Sequence, residues 1–326
     1  MSDESVLITW PDYDRAGHDT GRRLVAAGCS LRFAPKVSSR SPADLIALLD
    51  DVAAAIVSTD PFDADVLAGA RSLRVIARIG VGTDSIDVEA ATRHGVAVCT
   101  TPGANASSTA DHAVGLMLAA LRRITEYDAG IRTARWARTG EATPWELNRA
   151  TVGLVGFGAI GRLVRRRLSG FRTQVLVCDP AGDVDADTEL VSLDELLRRS
   201  DVVSLHVPLT SDTRHLIDRR RLALMRPEAV LVNTARGALV DEVALLDALQ
   251  AGRLRAAALD VFEREPPEGS RLLELPNVVL TPHIGGVSER SVQEMTRRAT
   301  GAVLDVLAGR VPANLVNPEA LAAAGR

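Results

Sequence analysis

Between Thr151 and Asp179 the chain reads TVGLVGFGAIGRLVRRRLSGFRTQVLVCD: an apolar run, a glycine turn, an amphipathic stretch and a second apolar run closing on an acid. It reads as one strand–turn–helix–strand unit. Gly156, Gly158 and Gly161 stand in the spacing G-x-G-x-x-G. The first glycine permits the tight turn, and the second lets backbone N–H groups approach a pyrophosphate. The third lets helix and strand pack closely, while the helix N-terminus offers a partial positive charge. Asp179, 18 residues after the third glycine, ends the second strand, where a carboxylate can accept hydrogen bonds from both hydroxyls of an adenosine ribose. Glycine-rich turns alone are common; the flanking strands and the acid make this one a dinucleotide site. The same carboxylate would repel a 2′-phosphate, so NAD is expected over NADP.

The pattern continues in both directions. Short apolar runs alternate with helical ones, the signature of a parallel sheet covered by helices on both faces. Strands are predicted at 6–10, 31–34, 54–58, 75–79 and 96–100, with helices near 15–27, 43–49 and 88–94. A long helix is expected from Ser107 to about Thr133, with Ser107 or Ser108 as N-cap. Beyond the glycine unit, strands are predicted at 202–207, 230–233, 256–261 and 278–281, and a returning helix at 288–307. Ser192 and Glu195 have the spacing of a capping box. The nucleotide unit thus lies in the middle of the chain.

At 326 residues the chain exceeds a usual single core, and two domains are expected. Hydrophobic content of 46% and charged content of 25% suit a globular protein. A formal charge of −4 advertises no basic face for nucleic acid. Lys36 is the only lysine among 38 Lys+Arg, which excludes most Schiff-base chemistry. Cys29, Cys99 and Cys178 are scattered without a C-x-x-C, so neither a disulfide framework nor a zinc site is indicated, and no metal is expected. The acidic start MSDESVLITW does not read as a signal peptide, and no apolar run approaches the roughly 20 residues that span a bilayer. A cytoplasmic protein with no membrane contact is expected.

Three later segments each put an ionisable residue just past a predicted strand: Asn233–Gly237 (NTARG), Asp260–Pro267 (DVFEREPP) and Thr281–Gly286 (TPHIGG). In an open α/β sheet that edge is where ligands bind. Singly, Arg236 reads as a surface arginine, Glu265 as a solvated acid and His283 as a structural histidine. Together they supply a bidentate cation, a carboxylate and a titratable imidazole, the set that reversible hydride transfer to a 2-oxo acid requires. A guanidinium clamps the carboxylate and polarises the carbonyl, while an imidazole gives or takes the hydroxyl proton. A carboxylate bonded to the imidazole fixes its tautomer.

These stretches, with RIGVGTDSID and VGLVGFGAIG, resemble in order and spacing the signatures of the D-isomer-specific 2-hydroxyacid dehydrogenases, over nearly the whole chain. The resemblance implies an α/β architecture of two Rossmann-like, doubly wound parallel-sheet domains with the active site in the cleft between them. Residues 1–101 plus 288–326 would form the substrate-binding lid, and 102–287 the NAD-binding domain. Arg236 would bind substrate carboxylate and carbonyl, His283 would be the general acid/base and Glu265 its partner. Arg78 and the backbone at Val81 and Gly82 would complete the substrate contacts. The cofactor set implied is Gly156, Gly158, Ala159, Ile160, Gly161, Asp179, His206, Val207, Pro208, Thr213, Thr234, Ala235, Arg236, Asp260, His283, Gly285 and Thr109. Asp260 would take the nicotinamide carboxamide, Thr109 would lie beside the nicotinamide, and 206–208 would line the adenine pocket, making His206 a wall residue. Residues 123–148 resemble the arm that builds the family's homodimer.

The closest flavour is the 3-phosphoglycerate dehydrogenase branch, from GVGTDSID, TPGANASSTADH and ELNRATVGLVGFGAIG. Against a phosphorylated substrate stands Ser58-Thr59-Asp60, where such enzymes often carry an arginine. Arg78, and Arg138 from a partner subunit, are the cations that could compensate. Glyoxylate, hydroxypyruvate or another 2-oxo acid are alternatives, as is phosphite oxidation. A corepressor-like NAD-sensing regulator is the alternative of another class.

Overall fold

The computed structural model describes residues 4–11, 13, 19–36, 40–136, 143–184 and 188–323. The chain forms two compact units, Met1–Asn105 with Val287–Arg326, and Ala106–Gly286.

The first unit begins β1 (Glu4–Ile8), α1 (Thr20–Ala26), β2 (Cys29–Phe33), α2 (Pro42–Leu48), β3 (Val52–Val57), α3 (Ala64–Gly69), β4 (Val75–Arg78), α4 (Val88–Arg93) and β5 (Ala97–Cys99). Its five strands lie in the order β2-β1-β3-β4-β5, all pairs parallel. Every residue of β3 is buried, as a strand covered on both faces requires. Alternation along the strands sorts side chains into two cores: Val6, Ile8, Ala54 and Ile56 into one, and Leu7, Ala55 and Val57 into the other. Short polar caps start the helices. Ser41, Asp63 and Asp87 each accept an N–H from the first turn of α2, α3 and α4.

The second unit runs α5 (Ala106–Arg122), α6 (Ile124–Arg132), β6 (Thr151–Val155), α7 (Ala159–Leu168), β7 (Gln174–Cys178), β8 (Glu189–Leu190), α8 (Leu193–Arg199), β9 (Val202–Leu205), α9 (Arg219–Leu222), β10 (Val230–Asn233), α10 (Glu242–Gln250), β11 (Ala256–Leu259) and β12 (Val278–Leu280). Seven parallel strands stand in the order β12-β11-β10-β9-β6-β7-β8. Strands β9, β10 and β11 are buried along their whole length. The chain then returns to the first unit through α11 (Glu289–Leu307) and α12 (Glu319–Ala323). α11 packs on β3 and β4, and Thr300 on it meets the Tyr13 hydroxyl at 2.8 Å. Buried Asn317 takes the Val98 N–H at 2.7 Å and donates to the Val96 carbonyl at 3.0 Å.

Several expectations need correction. The long helix from Ser107 to Thr133 is two helices, because Arg123 takes a left-handed conformation (φ 53°) between them. Most of α5 is core, whereas Gly130 alone is buried on α6. The break separates a packed helix from a solvated one. Ser107 and Ser108 are not N-caps; α5 begins at Ala106 and both lie in its first turn. The Ser192–Glu195 box is half formed. Ser192 Oγ accepts the Glu195 N–H, while the Glu195 carboxylate takes Arg199 instead, at 2.8 Å. The strands predicted at 202–207 and 256–261 end at Leu205 and Leu259, since the last apolar residues leave the ladder to shape loops. Residues 15–18 of the expected first helix and Arg138 lie outside the described residues. No described helix is long and apolar enough to cross a membrane.

Candidate active site

In the second unit the functional candidates line up along one sheet edge. Reading across the sheet, His283 follows β12, Asp260 and Glu265 follow β11, Arg236 follows β10, His206 follows β9, the glycine turn follows β6, and Asp179 follows β7. Because all strands are parallel, all these groups leave the same, C-terminal edge.

The glycine turn is built for close approach. Gly156 has φ +97°, and a Cβ there would stand 2.8 Å from the His206 backbone. A Cβ on Gly161 would strike the Gly156 carbonyl, whereas one on Gly158 meets nothing within 4 Å. Gly158 is the N-cap of α7 and offers no side-chain acceptor, and no acid stands in the first turn. The leading N–H groups, those of Ala159 and Ile160 included, are therefore left open to an anion, with no first-turn carboxylate to compete. Asp179 accepts Phe157 N on Oδ2 at 2.6 Å and Ala181 N on Oδ1 at 2.8 Å. Each oxygen has a second lone pair for a hydroxyl.

Thr213 closes the next loop, donating to the Pro208 carbonyl at 2.7 Å and accepting Thr210 N at 2.7 Å; Val207 lies just before this loop. Both His206 ring nitrogens and the Thr234 hydroxyl are shielded from water, with no hydrogen-bond partner among the described residues. Burial pushes the His206 imidazole down to about 4, so the ring is neutral at physiological pH. Thr109 is buried on α5. These residues fit a dinucleotide: an unblocked helix N-terminus, an acid with lone pairs to spare, and buried polar atoms that a ligand would satisfy.

Arg236 sits on a turn that Asn233 shapes. The Asn233 side chain accepts Ala235 N at 3.0 Å and donates to the Arg236 carbonyl at 2.8 Å. The half-buried guanidinium donates to the Ala235 carbonyl at 2.7 Å. Glu265 and His283, far apart in the chain, meet Oε2 to Nδ1 at 2.7 Å, with each side chain about a third exposed (34% and 35%). Glu265 is steadied by Phe262 N on its other oxygen at 3.2 Å. A carboxylate only accepts, so the proton of this bond resides on Nδ1 and leaves Nε2 as the exchanging nitrogen.

Asp260 is 1% exposed. Burial alone would raise its carboxyl, but hydrogen bonds from His112, Thr281 and the Gly285 and Ile284 N–H groups outweigh that and hold it below the ordinary range. Glu242, at the start of α10, goes the other way: burial raises it, the Glu263 N–H at 2.6 Å opposes, and the charges of Glu263 and Glu265 add to the rise. Sequence reasoning missed His112, Ser108, Glu242 and Asn233. Ser108 and Glu242 act on backbone remote in the chain, His112 on the remote side chains of Thr281 and Asp260, and Asn233 on its own turn, and no spacing rule signals that.

The remaining substrate candidates belong to the first unit. Arg78 ends β4, is 6% exposed, and folds its guanidinium over Gly80. Val81 is exposed and Gly82 half-buried, in a turn held by Thr101, which accepts Gly80 N at 2.9 Å. Asp60 is completely buried. It accepts Thr9 Oγ1 at 2.6 Å and Arg40 Nη1 at 2.5 Å, so its charge is turned inward. Among the described residues no cluster of His, Cys, Asp or Glu could hold a metal ion.

Comparison with known proteins meets this geometry. The family described as "D-isomer specific 2-hydroxyacid dehydrogenase, NAD binding domain" matches residues 114–285. D-3-phosphoglycerate dehydrogenase of Mycobacterium leprae is 43% identical over 278 residues, covering 84% of this chain and 52% of the relative. The chain thus spans about half the length of that protein. Glyoxylate reductase of Thermococcus litoralis is 40% identical over 275 residues, covering 81% of this chain and 82% of the relative. Among solved structures, the TT0316 protein from Thermus thermophilus superposes with a TM-score of 0.88 at 38% identity, covering 96% of this chain and 99% of that one. The chain belongs to the D-isomer-specific 2-hydroxyacid dehydrogenase family.

Proposed function

We propose that the protein is an NAD-dependent dehydrogenase that moves hydride between nicotinamide and a D-2-hydroxy acid/2-oxo acid pair, with the second unit holding the cofactor and the first the substrate. The observation that carries this reading is the 2.7 Å His283–Glu265 contact on the sheet edge that also carries Arg236 and the glycine turn. When bound, NADH supplies the hydride. Arg236 grips the substrate carboxylate in a two-pronged hydrogen bond and draws electron density from the carbonyl. His283 gives its Nε2 proton to the carbonyl oxygen as the alkoxide forms, and Glu265 keeps Nδ1 protonated and balances the imidazolium. In oxidation the same nitrogen takes the hydroxyl proton back. Asp179 on the ribose favours NAD, and the pyrophosphate falls to the α7 N-terminus. Among the described residues Asp260 Oδ2 accepts one N–H, which leaves a lone pair for the carboxamide. Assignment of Arg78, Val81 and Gly82 to the substrate rests on the family resemblance.

The substrate is a short 2-oxo acid such as glyoxylate or hydroxypyruvate, because Asp60 takes up the charge of Arg40 at the first unit's sheet edge. A phosphorylated acid is the second reading, favoured by the cation Arg78 at the end of β4. The complete Arg–Glu–His set speaks for turnover rather than NAD sensing. A homodimer is supported by Ile124, Ile131 and Trp136, which expose 53%, 54% and 81% of their surface. Cys29, Cys99 and Cys178, none of them in a disulfide, suit the reducing cytoplasm. The test is NADH consumption against glyoxylate, hydroxypyruvate, pyruvate and 3-phosphohydroxypyruvate. Turnover of one or more supports the reading and ranks the substrates; none with any acid contradicts it.

A further inference from the structure

The loop that carries His283 is tied down through successive backbone groups. His283 N donates to the Asp260 carbonyl at 2.7 Å. Ile284 N donates to Asp260 Oδ1 at 2.9 Å and Gly285 N to Oδ2 at 2.8 Å. The Gly285 carbonyl accepts Ser108 Oγ at 2.9 Å. His283 itself has φ 55°, a conformation a non-glycine residue keeps only where its surroundings impose it. Glu265 holds the imidazole ring, while the Asp260 carboxylate anchors the backbone just after it and must itself be held in place.

What holds it lies on α5. Thr281 Oγ1 stands 2.6 Å from Asp260 Oδ1, and His112 Nε2 stands 2.9 Å from Thr281 Oγ1 and 3.2 Å from Asp260 Oδ1. Donor and acceptor roles follow without choice. Asp260, held ionised, can only accept, so the single Thr281 hydroxyl proton points at it. The Thr281 oxygen is then an acceptor, and His112 must carry its proton on Nε2. Proton direction runs from His112 to Thr281 to Asp260, where the loop amides also converge. Ser108 and His112 are four residues apart and so share one face of α5. A Cβ at position 285 would stand 2.8 Å from Asp260 Oδ2 and 3.3 Å from His112, so the loop is seated directly on this pair.

We infer that His112, with Ser108 beside it, is a positioning residue for proton transfer: it orients Asp260 through Thr281 and thereby fixes the backbone that aims His283. The inference rests on the reading of His283 as the acid/base. A hydrogen-bond donor at 112 is what the arrangement requires, not a charge. His112→Gln can present an N–H in the same direction, and His112→Leu cannot.

The test compares parent, His112→Leu, His112→Gln and Ser108→Ala by two readouts. The first is hydrogen exchange at the amides of His283, Ile284 and Gly285, which needs no substrate. The second is steady-state reduction of glyoxylate and hydroxypyruvate, with the solvent deuterium isotope effect on kcat and NADH binding by fluorescence. Expected for His112→Leu are loop exchange faster by about tenfold or more, kcat lower by about tenfold, a larger isotope effect and NADH affinity within about threefold of the parent. His112→Gln should recover most of both losses, and Ser108→Ala should show a smaller version. Loop exchange and kcat within about twofold of parent in His112→Leu would overturn the inference, as would losses that track melting temperature and are not rescued by glutamine. Failure of the underlying reading looks different: His283→Ala would then turn over normally, or no 2-oxo acid would be reduced, while the exchange result still decides whether His112 fixes the loop.

Discussion

The two parallel sheets place charge at their C-terminal edges in opposite ways. At the second unit's edge Glu265 and His283 face one another with about a third of each side chain open to solvent. At the first unit's edge Asp60 is fully buried and Arg78 nearly so, at 0% and 6% exposure, and Arg40 is drawn onto Asp60 at 2.5 Å. One edge keeps titratable groups in reach of a ligand and fixes them from behind; the other closes its charges on themselves. A shared sheet architecture does not set function. In the second unit the strand ends present titratable groups to solvent, and in the first the charges at the strand ends are turned inward.

The largest effect is expected at the open edge, where His283→Ala removes the proposed proton donor. Turnover should fall by about 10²–10⁴-fold with NADH affinity nearly unchanged, read by steady-state kinetics beside fluorescence titration; near-parental rates would remove the acid/base assignment. Arg236→Lys keeps the charge and loses the fork. A loss of about 10–100-fold in kcat/KM is expected, from the roughly 1.5–3 kcal/mol of charge-assisted hydrogen bonding. An unaltered kcat/KM would mean that Arg236 does not clamp the carboxylate.

At the closed edge the consequence should be stability and selectivity. Asp60→Asn leaves Arg40 without its anionic partner and should cost about 3–5 kcal/mol, visible as a lower melting temperature. It should also raise the relative kcat/KM for 3-phosphohydroxypyruvate over hydroxypyruvate. A variant as stable as the parent would show that the pair is not a closed one.

The smallest effect concerns pH. His206 titrates at about 4 when folded, below the roughly 6.5 of an unfolded histidine. Between those values the unfolded chain binds a proton that the folded one does not, so stability falls as pH drops from about 6.5 towards 4. The loss is roughly 2 kcal/mol between about pH 7 and pH 4.5. Denaturant titration of His206→Leu should show a flatter profile over that window. An unchanged slope would place the imidazole in water.

Much of this was legible before any coordinates. Short apolar runs alternating with helical periodicity mark a parallel sheet, and glycine spacing with a distant acid marks the nucleotide turn. Arg236, Glu265 and His283 could be picked out because each follows a strand. What stayed hidden was long-range or local in a way no pattern encodes. The left-handed Arg123 that splits α5 from α6 is one case. The two-residue β8, too short for any alternation, is another. His112 looks like one of several polar residues at the start of α5 until the fold brings the loops after β11 and β12 against it. Asp60, which in the sequence stands as an acid unfavourable to a phosphorylated substrate, is a buried anchor for Arg40, because Thr9 and Arg40 reach it from loops after other strands.

A stereospecific reduction is decided by its product. Hydroxypyruvate is incubated with NADH and the protein, and the two enantiomers of the glycerate formed are separated by chiral chromatography. The account predicts D-glycerate alone, with equimolar NADH oxidised and next to none formed by His283→Ala. L-glycerate, a racemate, or no NADH oxidation with this or any other short 2-oxo acid would contradict it.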